Sequence, residues 1–271
     1  MSLKAFLPVW LKRKIKKHIS LPKGYEWIPA KSVTKQLCTF KVADSELSVE
    51  ASFDTPLYDT IAEVVDYDCY QLSTILAGRP TISSIIDIGA NVGVTTTVLA
   101  RLFNADVYSF EPVVRNIAYL RRNIEVNNLS KVTVIGSAIS DYDGVAEFEE
   151  IANESVGGHL AKSHMSRGNN VQKVKTMTLK RALEICGNGV SLMKVDCEGG
   201  EYSILEQLKN GLSDKVERLT FEIHDIDSGN NLRTAIQGLQ SAGYSVLYKK
   251  DIHDRPNLHH LLALRKDIRD V

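Results

Sequence analysis

Two acidic residues and one imidazole stand at the ends of apolar segments in the second half of the chain. Asp196 and Glu198 follow the apolar run that ends at Val195, and His224 ends the run that starts at Leu219. A carboxylate or an imidazole can take the proton of a hydroxyl group, and a free imidazole titrates near neutral pH. Asp196, Glu198 and His224 are therefore the candidates for direct catalysis.

Other roles for these three residues stay open. Hard divalent ions such as Mg²⁺ prefer clustered carboxylates, so Asp196 and Glu198 qualify as metal ligands by type. They would serve structure instead if they held Lys194 and the start of the next helix. His224 at a strand end is equally suited to hydrogen-bonded scaffolding. The sequence does not choose between catalysis, Mg²⁺ binding and structure.

A loop with two glycines lies in the first half of the chain. The segment Ile85–Val94 has the pattern of a buried strand, a tight turn and the start of a helix. Gly89 and Gly93 let the backbone approach a ligand closely, and Asn91 is the non-glycine residue best able to accept a left-handed conformation. The loop predicts a nucleotide-type cofactor, unless Asp87 merely caps the turn and the glycines merely allow tight packing.

Two further positions suit the same kind of ligand. Glu111 ends the next apolar segment, where an acid can accept hydrogen bonds from both hydroxyls of a ribose. Ser137, Ala138 and Ile139 follow a third segment and are placed to give an adenine a polar contact and an apolar wall, or to cap a turn.

These side chains need a frame that brings several strand ends together. From Ser83 onward, strand-like and helix-like segments alternate, which requires a mostly parallel sheet covered on both faces. Ligands on such sheets bind at the carboxyl ends of the strands. The last two strands have no helix between them and are predicted to pair antiparallel. We predict an α/β, doubly wound fold with an antiparallel C-terminal strand, plus an N-terminal helical and hairpin extension.

The predicted boundaries follow from the same patterns. A hairpin is expected at 38–53 and one or two helices at 57–76. The strands of the main sheet are expected at 85–89, 106–110, 132–139, 191–196, 219–224, 245–249 and 261–265, and its helices at 92–103, 114–127, 200–210 and 231–242. A more irregular section is expected between 140 and 190, with the polar segment 153–170 as a lid over an acceptor.

Charge is unevenly distributed along the 271 residues. The chain has 33 basic and 33 acidic residues, yet its first 24 residues carry seven lysines and arginines and no acid. We predict a basic arm at 1–35, a hairpin and helical extension at 36–80 and a catalytic domain at 81–271. A helix in the arm either docks on the protein or contacts an anionic membrane through residues 4–23.

Composition limits the class of protein. No run of about 18 apolar residues occurs, so no membrane-spanning helix is predicted, and the apolar stretch near the start is too short for a signal peptide. The four cysteines are widely spaced without a CxxC pair, which favours reduced thiols. We expect a cytoplasmic protein, with peripheral membrane contact as an addition. No nucleic-acid partner is expected, and the oligomeric state is open.

The glycine loop departs from the dinucleotide-binding fingerprint, which needs glycines at its first, third and sixth positions. Counted from Gly89, this chain has Asn91 and Val94 at the later two positions. A nicotinamide-dependent oxidoreductase is therefore an alternative and not the leading interpretation. The second alternative is a non-catalytic cofactor-binding or membrane-adaptor protein that works through its basic arm.

The motifs together resemble those of the FkbM-like methyltransferases, which have the class I fold and use S-adenosylmethionine. The matching segments are Asp87-Ile-Gly-Ala-Asn-Val-Gly93, Phe110-Glu-Pro112, Asn127-Asn128, Ala138-Ile-Ser-Asp141 with Gly144, and Leu192-Met-Lys-Val-Asp-Cys-Glu-Gly-Gly-Glu201. The string Lys-Val-Asp-x-Glu-Gly-x-Glu is the most discriminating. The resemblance covers Tyr70 to Arg265 and leaves the basic arm out.

The resemblance implies methyl transfer to oxygen, commonly to a hydroxyl of a sugar, glycan or related small molecule. The resemblance also implies that the backbone of Gly89 to Gly93 passes beside the methionine portion of the cofactor, and that Asp87 helps to fix the ammonium group of that portion. Glu111 would then bind the ribose. The acceptor is not fixed by the resemblance.

Overall fold

Strands joined by crossover helices form the centre of the protein. A computed structural model describes residues 26–28, 35–150, 159–160, 170–187 and 189–267. The described strands are β1 (Glu26–Ile28), β2 (Lys35–Val42), β3 (Ser45–Ser52), β4 (Ser84–Ile88), β5 (Asp106–Phe110), β6 (Val132–Ile135), β7 (Ala138–Ser140), β8 (Gly144–Glu150), β9 (His159–Leu160), β10 (Asn170–Thr178), β11 (Leu192–Val195), β12 (Arg218–His224), β13 (Tyr244–Lys250) and β14 (Leu258–Arg265). The described α-helices are α1 (Leu57–Ile61), α2 (Leu72–Ala77), α3 (Val94–Phe103), α4 (Val114–Val126), α5 (Leu179–Ile185), α6 (Glu201–Gln207) and α7 (Leu232–Ser241). π-helical turns continue α1 over Ala62–Asp66 and α6 over Leu208–Leu212, followed by a 3₁₀ turn at Ser213–Lys215.

Seven strands form the central sheet in the order β13-β14-β12-β11-β4-β5-β6. The strands β12, β11, β4, β5 and β6 run parallel, and β14 is antiparallel to both of its neighbours. Every residue of β11 is buried, as expected for a strand that is covered on both faces. The predicted doubly wound fold with its antiparallel C-terminal strand is confirmed.

The chain changes direction across the sheet at β4, and this switch point positions the site. The chain moves from β4 outward to β5 and β6, and β11 then begins the other half of the sheet. Val195 is in register with Ile88, and the Asp196 N–H donates a 3.1 Å hydrogen bond to the Ile88 carbonyl. The loops after β4 and β11 therefore meet at one edge, where doubly wound sheets bind ligands.

The region from 132 to 185 differs from the prediction. The expected strand 132–139 breaks at Gly136 and Ser137: β6 stays in the central sheet, while β7 joins a second sheet of order β7-β10-β8-β9. The break is a tight turn, because the Ser137 N–H donates to the Ile135 carbonyl at 3.0 Å. The section predicted as irregular contains β8, β10 and α5. Of the predicted lid at 153–170, residues 159, 160 and 170 are described, and the others lie outside the described residues.

The predicted N-terminal hairpin is confirmed as β2 and β3, and two helices follow it as expected. Asn123 of α4 and Asn127, which directly follows α4, bind the β3 backbone through their side-chain amides, with hydrogen bonds of 2.7–2.8 Å to Glu50 and Ser48. Apolar residues of the hairpin share one core with α3 and β4. The extension is therefore fixed to the half of the sheet that carries the glycine loop.

The basic arm lies outside the described residues except for β1, which pairs antiparallel with β2, and Lys35, which is the first residue of β2. The predicted membrane contact through residues 4–23 and the division into three parts stay predictions. Within the described ranges, no helix combines the length and apolar character needed to cross a membrane.

Candidate functional site

A cavity of about 1330 Å³ lies at the carboxyl ends of β4, β5, β11 and β12. Typical ligand pockets measure roughly 300–1,000 Å³, so this cavity has room for a cofactor and an acceptor together. Most of the predicted site residues line it: Gly89, Asn91, Glu111, Ser137, Ala138, Ile139, Asp196, Glu198 and His224. The predicted residues Asp87 and Gly93 do not.

The loop after β4 keeps its shape through three left-handed residues. Gly89, Asn91 and Gly93 have φ angles of 75°, 51° and 93°, so the left-handed conformation predicted for Asn91 is confirmed. Gly89 also lies against β11, since a Cβ atom there would stand 1.7 Å from the Asp196 carbonyl oxygen. Gly93 instead contacts Leu120 of α4. The bare backbone at Gly89 lets the loop meet the end of β11.

Replacing Gly89 with alanine is expected to lower the free energy of unfolding by about 2–4 kcal/mol, through left-handed strain plus overlap with the Asp196 carbonyl. Gly187→Ala is the matched control, because Gly187 has a φ of 86° and no described atom lies within 4 Å of the position that a Cβ would take there. Urea unfolding measures both variants. Equal losses in the two would show that the contact with Asp196 contributes nothing.

Glu111 ties the glycine loop to the start of α4. Its two carboxylate oxygens accept hydrogen bonds from the Asn91 N–H at 2.8 Å and the Val113 N–H at 2.9 Å. Burial raises the pKa of Glu111 to about 7. Nearby, the buried Oδ1 atoms of Asn91 and Asn116 have no hydrogen-bond partner among the described residues. Unmet acceptors beside a carboxylate suit a ligand that has several hydroxyl or amine donors.

The three residues predicted to contact an adenine, Ser137, Ala138 and Ile139, have two different roles in the structure. Ala138 and Ile139 begin β7 and line the cavity. The Ser137 hydroxyl donates to the Lys175 carbonyl at 3.1 Å and so joins β10 to the turn. Ser137 therefore lines the cavity, but its hydroxyl group is used in a hydrogen bond within the protein.

Asp87 lies beneath the cavity and not at its wall. Its side chain is fully buried; Oδ2 accepts a 2.6 Å hydrogen bond from Thr96, and Oδ1 lies 3.3 Å from the Lys194 ammonium. Lys194 is directly opposite Asp87 in the parallel register of β4 and β11. The carboxylate of Asp87 thus holds Lys194, and the structure gives it no contact with the cavity.

Lys194 joins the glycine loop to the acids at the end of β11. Its ammonium donates a 2.8 Å hydrogen bond to the Gly89 carbonyl and lies 3.5 Å from Asp196 Oδ2. The Tyr70 hydroxyl donates to the same Asp196 oxygen at 2.8 Å. Burial works to raise the pKa of Asp196, but Lys194 and His224 outweigh it and lower the pKa. Asp196 is therefore a carboxylate at neutral pH.

Glu201, which the sequence placed in the most discriminating string but not among the site residues, organises the other half of the site. Its side chain is fully buried and accepts hydrogen bonds from the Cys197 N–H at 3.1 Å and the Gly199 N–H at 2.8 Å. One of its oxygens lies 3.1 Å from His224 Nδ1. The turn that allows this is left-handed at Glu198 and Gly199. The signal in the sequence was the glycine pair between Glu198 and Glu201.

His224 directs its Nε2 atom towards two more carboxylates. Nε2 lies 3.4 Å from Glu198 Oε2 and 3.6 Å from Glu222 Oε1. Burial works to lower the pKa of His224, but Glu201 and Glu198 outweigh it and raise the pKa to about 10. The expectation that this ring titrates near neutral pH is therefore wrong. Burial raises the pKa of Glu198 to about 7.

Asp196, Glu198 and His224 are brought together as predicted. Each offers one donor atom, and the three atoms lie within 4.8 Å of one another. In the order of the strands, the glycine loop after β4 lies between Glu111, which follows β5, and this group at the ends of β11 and β12. The arrangement can hold a ligand by its hydroxyls at one end and a polar, proton-releasing group at the other.

Comparison with known proteins identifies the family. The sequence profile of the methyltransferase FkbM domain matches residues 87–246. A curated relative, "Methyltransferase 1" of Beauveria bassiana (strain ARSEF 2860), is 25% identical over 221 residues, which make up 73% of this chain and 85% of that protein.

Similar solved structures include the methyltransferase FkbM from Methylobacillus flagellatus KT, with a TM-score of 0.47 and 19% identity over 68% of this chain and 44% of that chain. Precorrin-6y C5,15-methyltransferase from Geobacter metallireducens GS-15 has a TM-score of 0.45 and 13% identity over 72% of this chain and 87% of that one. Because the FkbM profile spans more than half of the sequence, this chain belongs to the methyltransferase FkbM domain family and is a methyltransferase.

Proposed function

We propose that this protein transfers a methyl group from S-adenosylmethionine to a hydroxyl of a sugar, glycan or related small molecule. One observation carries the proposal: a single cavity joins the glycine loop and Glu111 to a cluster of carboxylates and an imidazole. Family membership removes the support for the nicotinamide alternative, which also lacks its glycine spacing. The charged cluster likewise argues against a purely non-catalytic adaptor.

The residues present fit the cofactor. Glu111 would accept hydrogen bonds from the ribose hydroxyls, and the unpartnered Asn91 and Asn116 oxygens lie on the same wall for further donors. The Gly89 backbone would lie beside the methionine portion, and Ile139 would contact the adenine. When bound, the cofactor supplies a methyl group on a positively charged sulfur, which is an electrophile that a hydroxyl oxygen can attack.

The protein's own contribution is to hold the acceptor and take its proton. Asp196, Glu198 and His224 would place the hydroxyl oxygen in line with the methyl group, which can supply much of a rate enhancement by orientation alone. As the oxygen–carbon bond forms, the electron pair of the breaking carbon–sulfur bond stays on sulfur. The hydroxyl proton passes to a carboxylate of the cluster, because the raised pKa of His224 leaves its ring already protonated at neutral pH.

Transfer of a labelled methyl group to a panel of monosaccharides, glycans and glycolipids tests this function. We expect incorporation into at least one hydroxylated acceptor, and Asp196→Asn should reduce it. Calorimetry that measures the binding of S-adenosylhomocysteine and of NAD is a second test. Binding of NAD without binding of S-adenosylhomocysteine, or no turnover with any hydroxylated acceptor, would contradict the proposal.

The affinity for S-adenosylhomocysteine is expected to rise by up to about tenfold between pH 6 and pH 8. The reason is that burial raises the pKa of Glu111 to about 7, so below that pH ribose hydroxyls meet a protonated carboxyl, which accepts hydrogen bonds less well. Calorimetry at pH 6, 7 and 8 measures the rise.

Glu111→Gln keeps the shape of the side chain and removes its titration. The variant should bind more weakly than the native protein at pH 8 and should show no rise between pH 6 and pH 8. A rise of the same size in both proteins would assign the pH dependence to another group.

A further inference from the structure

We propose that Asp196, Glu198 and His224 form a binding site for one divalent cation, of the kind that accepts oxygen and imidazole ligands, with Mn²⁺ and Mg²⁺ as representatives. The cation would bind the acceptor oxygen and hold it near the methyl group. This role rests on the proposed function, whereas the cation binding does not.

The donor atoms have the spacing that a shared cation needs. Ligand bonds of about 2.1–2.2 Å place neighbouring donors on one ion roughly 3 Å apart and opposite donors roughly 4.4 Å apart. The three donor atoms lie within 4.8 Å of one another, and Glu198 Oε2 is 3.4 Å from His224 Nε2. Small side-chain rotations are enough to close the set around an ion.

The imidazole is already held as a metal ligand is held. Metal-binding histidines usually have their second ring nitrogen hydrogen-bonded to a carboxylate or carbonyl, which fixes the ring. Here Glu201 is that carboxylate, 3.1 Å from Nδ1, and two backbone N–H groups hold Glu201 in turn. His224 Nε2 therefore faces the cavity in a fixed direction, towards Asp196 and Glu198. A cation bound there would replace the proton that Nε2 carries at neutral pH, and that proton would leave to solvent.

Glu222 gives an observation independent of the three ligands. Only 9% of this residue is exposed, it lines the cavity, and its carboxylate makes no hydrogen bond to any other described residue. Its nearest polar atoms are imidazole nitrogens of His224 and His260, at 3.6 and 3.7 Å. A buried carboxylate left without a hydrogen bond beside the site is the arrangement that a bound cation would satisfy.

Charge around the site also favours a cation. Four acidic side chains surround His224, those of Asp196, Glu198, Glu201 and Glu222, and the protonated His224 ring supplies one positive charge among them. The nearest ammonium, Lys194, lies 3.5 Å from Asp196 but is also paired with Asp87. On Asp196, Tyr70 and Lys194 engage Oδ2, and no described residue donates a hydrogen bond to Oδ1. That oxygen is available to a cation in the cavity.

Binding of Mn²⁺ to the chelator-treated full-length chain tests the proposal, with free Mn²⁺ followed by electron paramagnetic resonance and Mg²⁺ added as competitor. We expect one bound Mn²⁺ per chain and at least about tenfold weaker binding in Glu198→Gln and in His224→Gln. Glu206→Gln is the matched control, because Glu206 is exposed on α6 and, among the described residues, pairs only with Lys209. Binding of S-adenosylhomocysteine to each variant shows whether it is folded.

The outcomes separate the two proposals. No Mn²⁺ binding, or equal Mn²⁺ affinity in Glu198→Gln and Glu206→Gln, would overturn the cation site even if chelated protein still methylates an acceptor. Mn²⁺ binding that both ligand variants lose would support the site even if no acceptor is ever methylated. Full methylation in excess chelator together with absent Mn²⁺ binding would leave the methyltransferase and remove the cation.

Discussion

Replacing Lys194 with methionine is expected to lower the free energy of unfolding by about 3–5 kcal/mol. Only 1% of the lysine side chain is exposed, and its ammonium stands between Asp87 and Asp196 at 3.3 and 3.5 Å. Methionine has a similar length but no charge, so both carboxylates lose their common partner. The unpaired charge of Asp87 contributes most to the lost stability, because Asp87 is fully buried and keeps only the hydrogen bond from Thr96.

Urea unfolding followed by circular dichroism measures the loss, and Lys209→Met serves as control. The exposed pair of Lys209 and Glu206 has a shorter contact, 2.7 Å, yet such surface pairs contribute about 0–1 kcal/mol. The double variant Lys194→Met with Asp87→Asn should recover part of the stability, since it removes one of the uncompensated charges. Equal losses in Lys194→Met and Lys209→Met would contradict the electrostatic explanation.

The central sheet was predictable because its strands carry their signal locally. Parallel strands buried on both faces are short and mostly apolar, and β4 and β11 stand out in the sequence in this way, with one charged residue each. The second sheet was not predictable in this way. Charged residues interrupt β8 and β10, and their cross-strand pairs, such as Glu147 with Lys173, join positions far apart in the chain. Such strands become visible only once the partner strand is known.

Within the site, the role of a residue was predictable from the sequence where the backbone conformation allows only a few residue types. Asn91 was predicted to be left-handed because few other side chains tolerate that conformation, and the structure confirms it. The gathering of Asp196 and His224 followed from parallel strand ends. Asp87 shows the limit of this reasoning. Its position near the end of the predicted strand suggested a contact with the cofactor, but the register that pairs it with Lys194 decides where its carboxylate points.

Glu201 was recognised as part of the most discriminating string but was given no role at the site, for a similar reason. At the start of a helix, an acid is ordinarily explained by the helix dipole alone. Here the left-handed turn at Glu198 and Gly199 folds two backbone N–H groups onto the carboxylate, and β12 adds His224. Three partners from two loops converge on one side chain, and no local pattern shows that convergence.

Replacing Glu201 with glutamine is expected to slow methyl transfer by about 10²–10⁴, the range that positioned proton-transfer and ligand groups contribute. Three N–H groups, those of Cys197, Gly199 and the His224 ring, approach the two carboxylate oxygens. A glutamine offers one acceptor oxygen, and its amide NH₂ must face at least one of these donors. His224 then loses its fixed direction, or the loop that carries Glu198 opens.

Kinetics with an acceptor from the methylation panel measure the effect, and Glu206→Gln on the same helix is the control. Because Glu201 acts through His224 and the loop and, unlike Glu111, does not line the cavity, kcat should fall while the affinity for S-adenosylhomocysteine stays within about threefold of the native value. A merely structural role would instead lower stability and weaken both ligands together. A kcat within a few-fold of Glu206→Gln, in a variant that still binds S-adenosylhomocysteine, would show that Glu201 does not position the reacting groups.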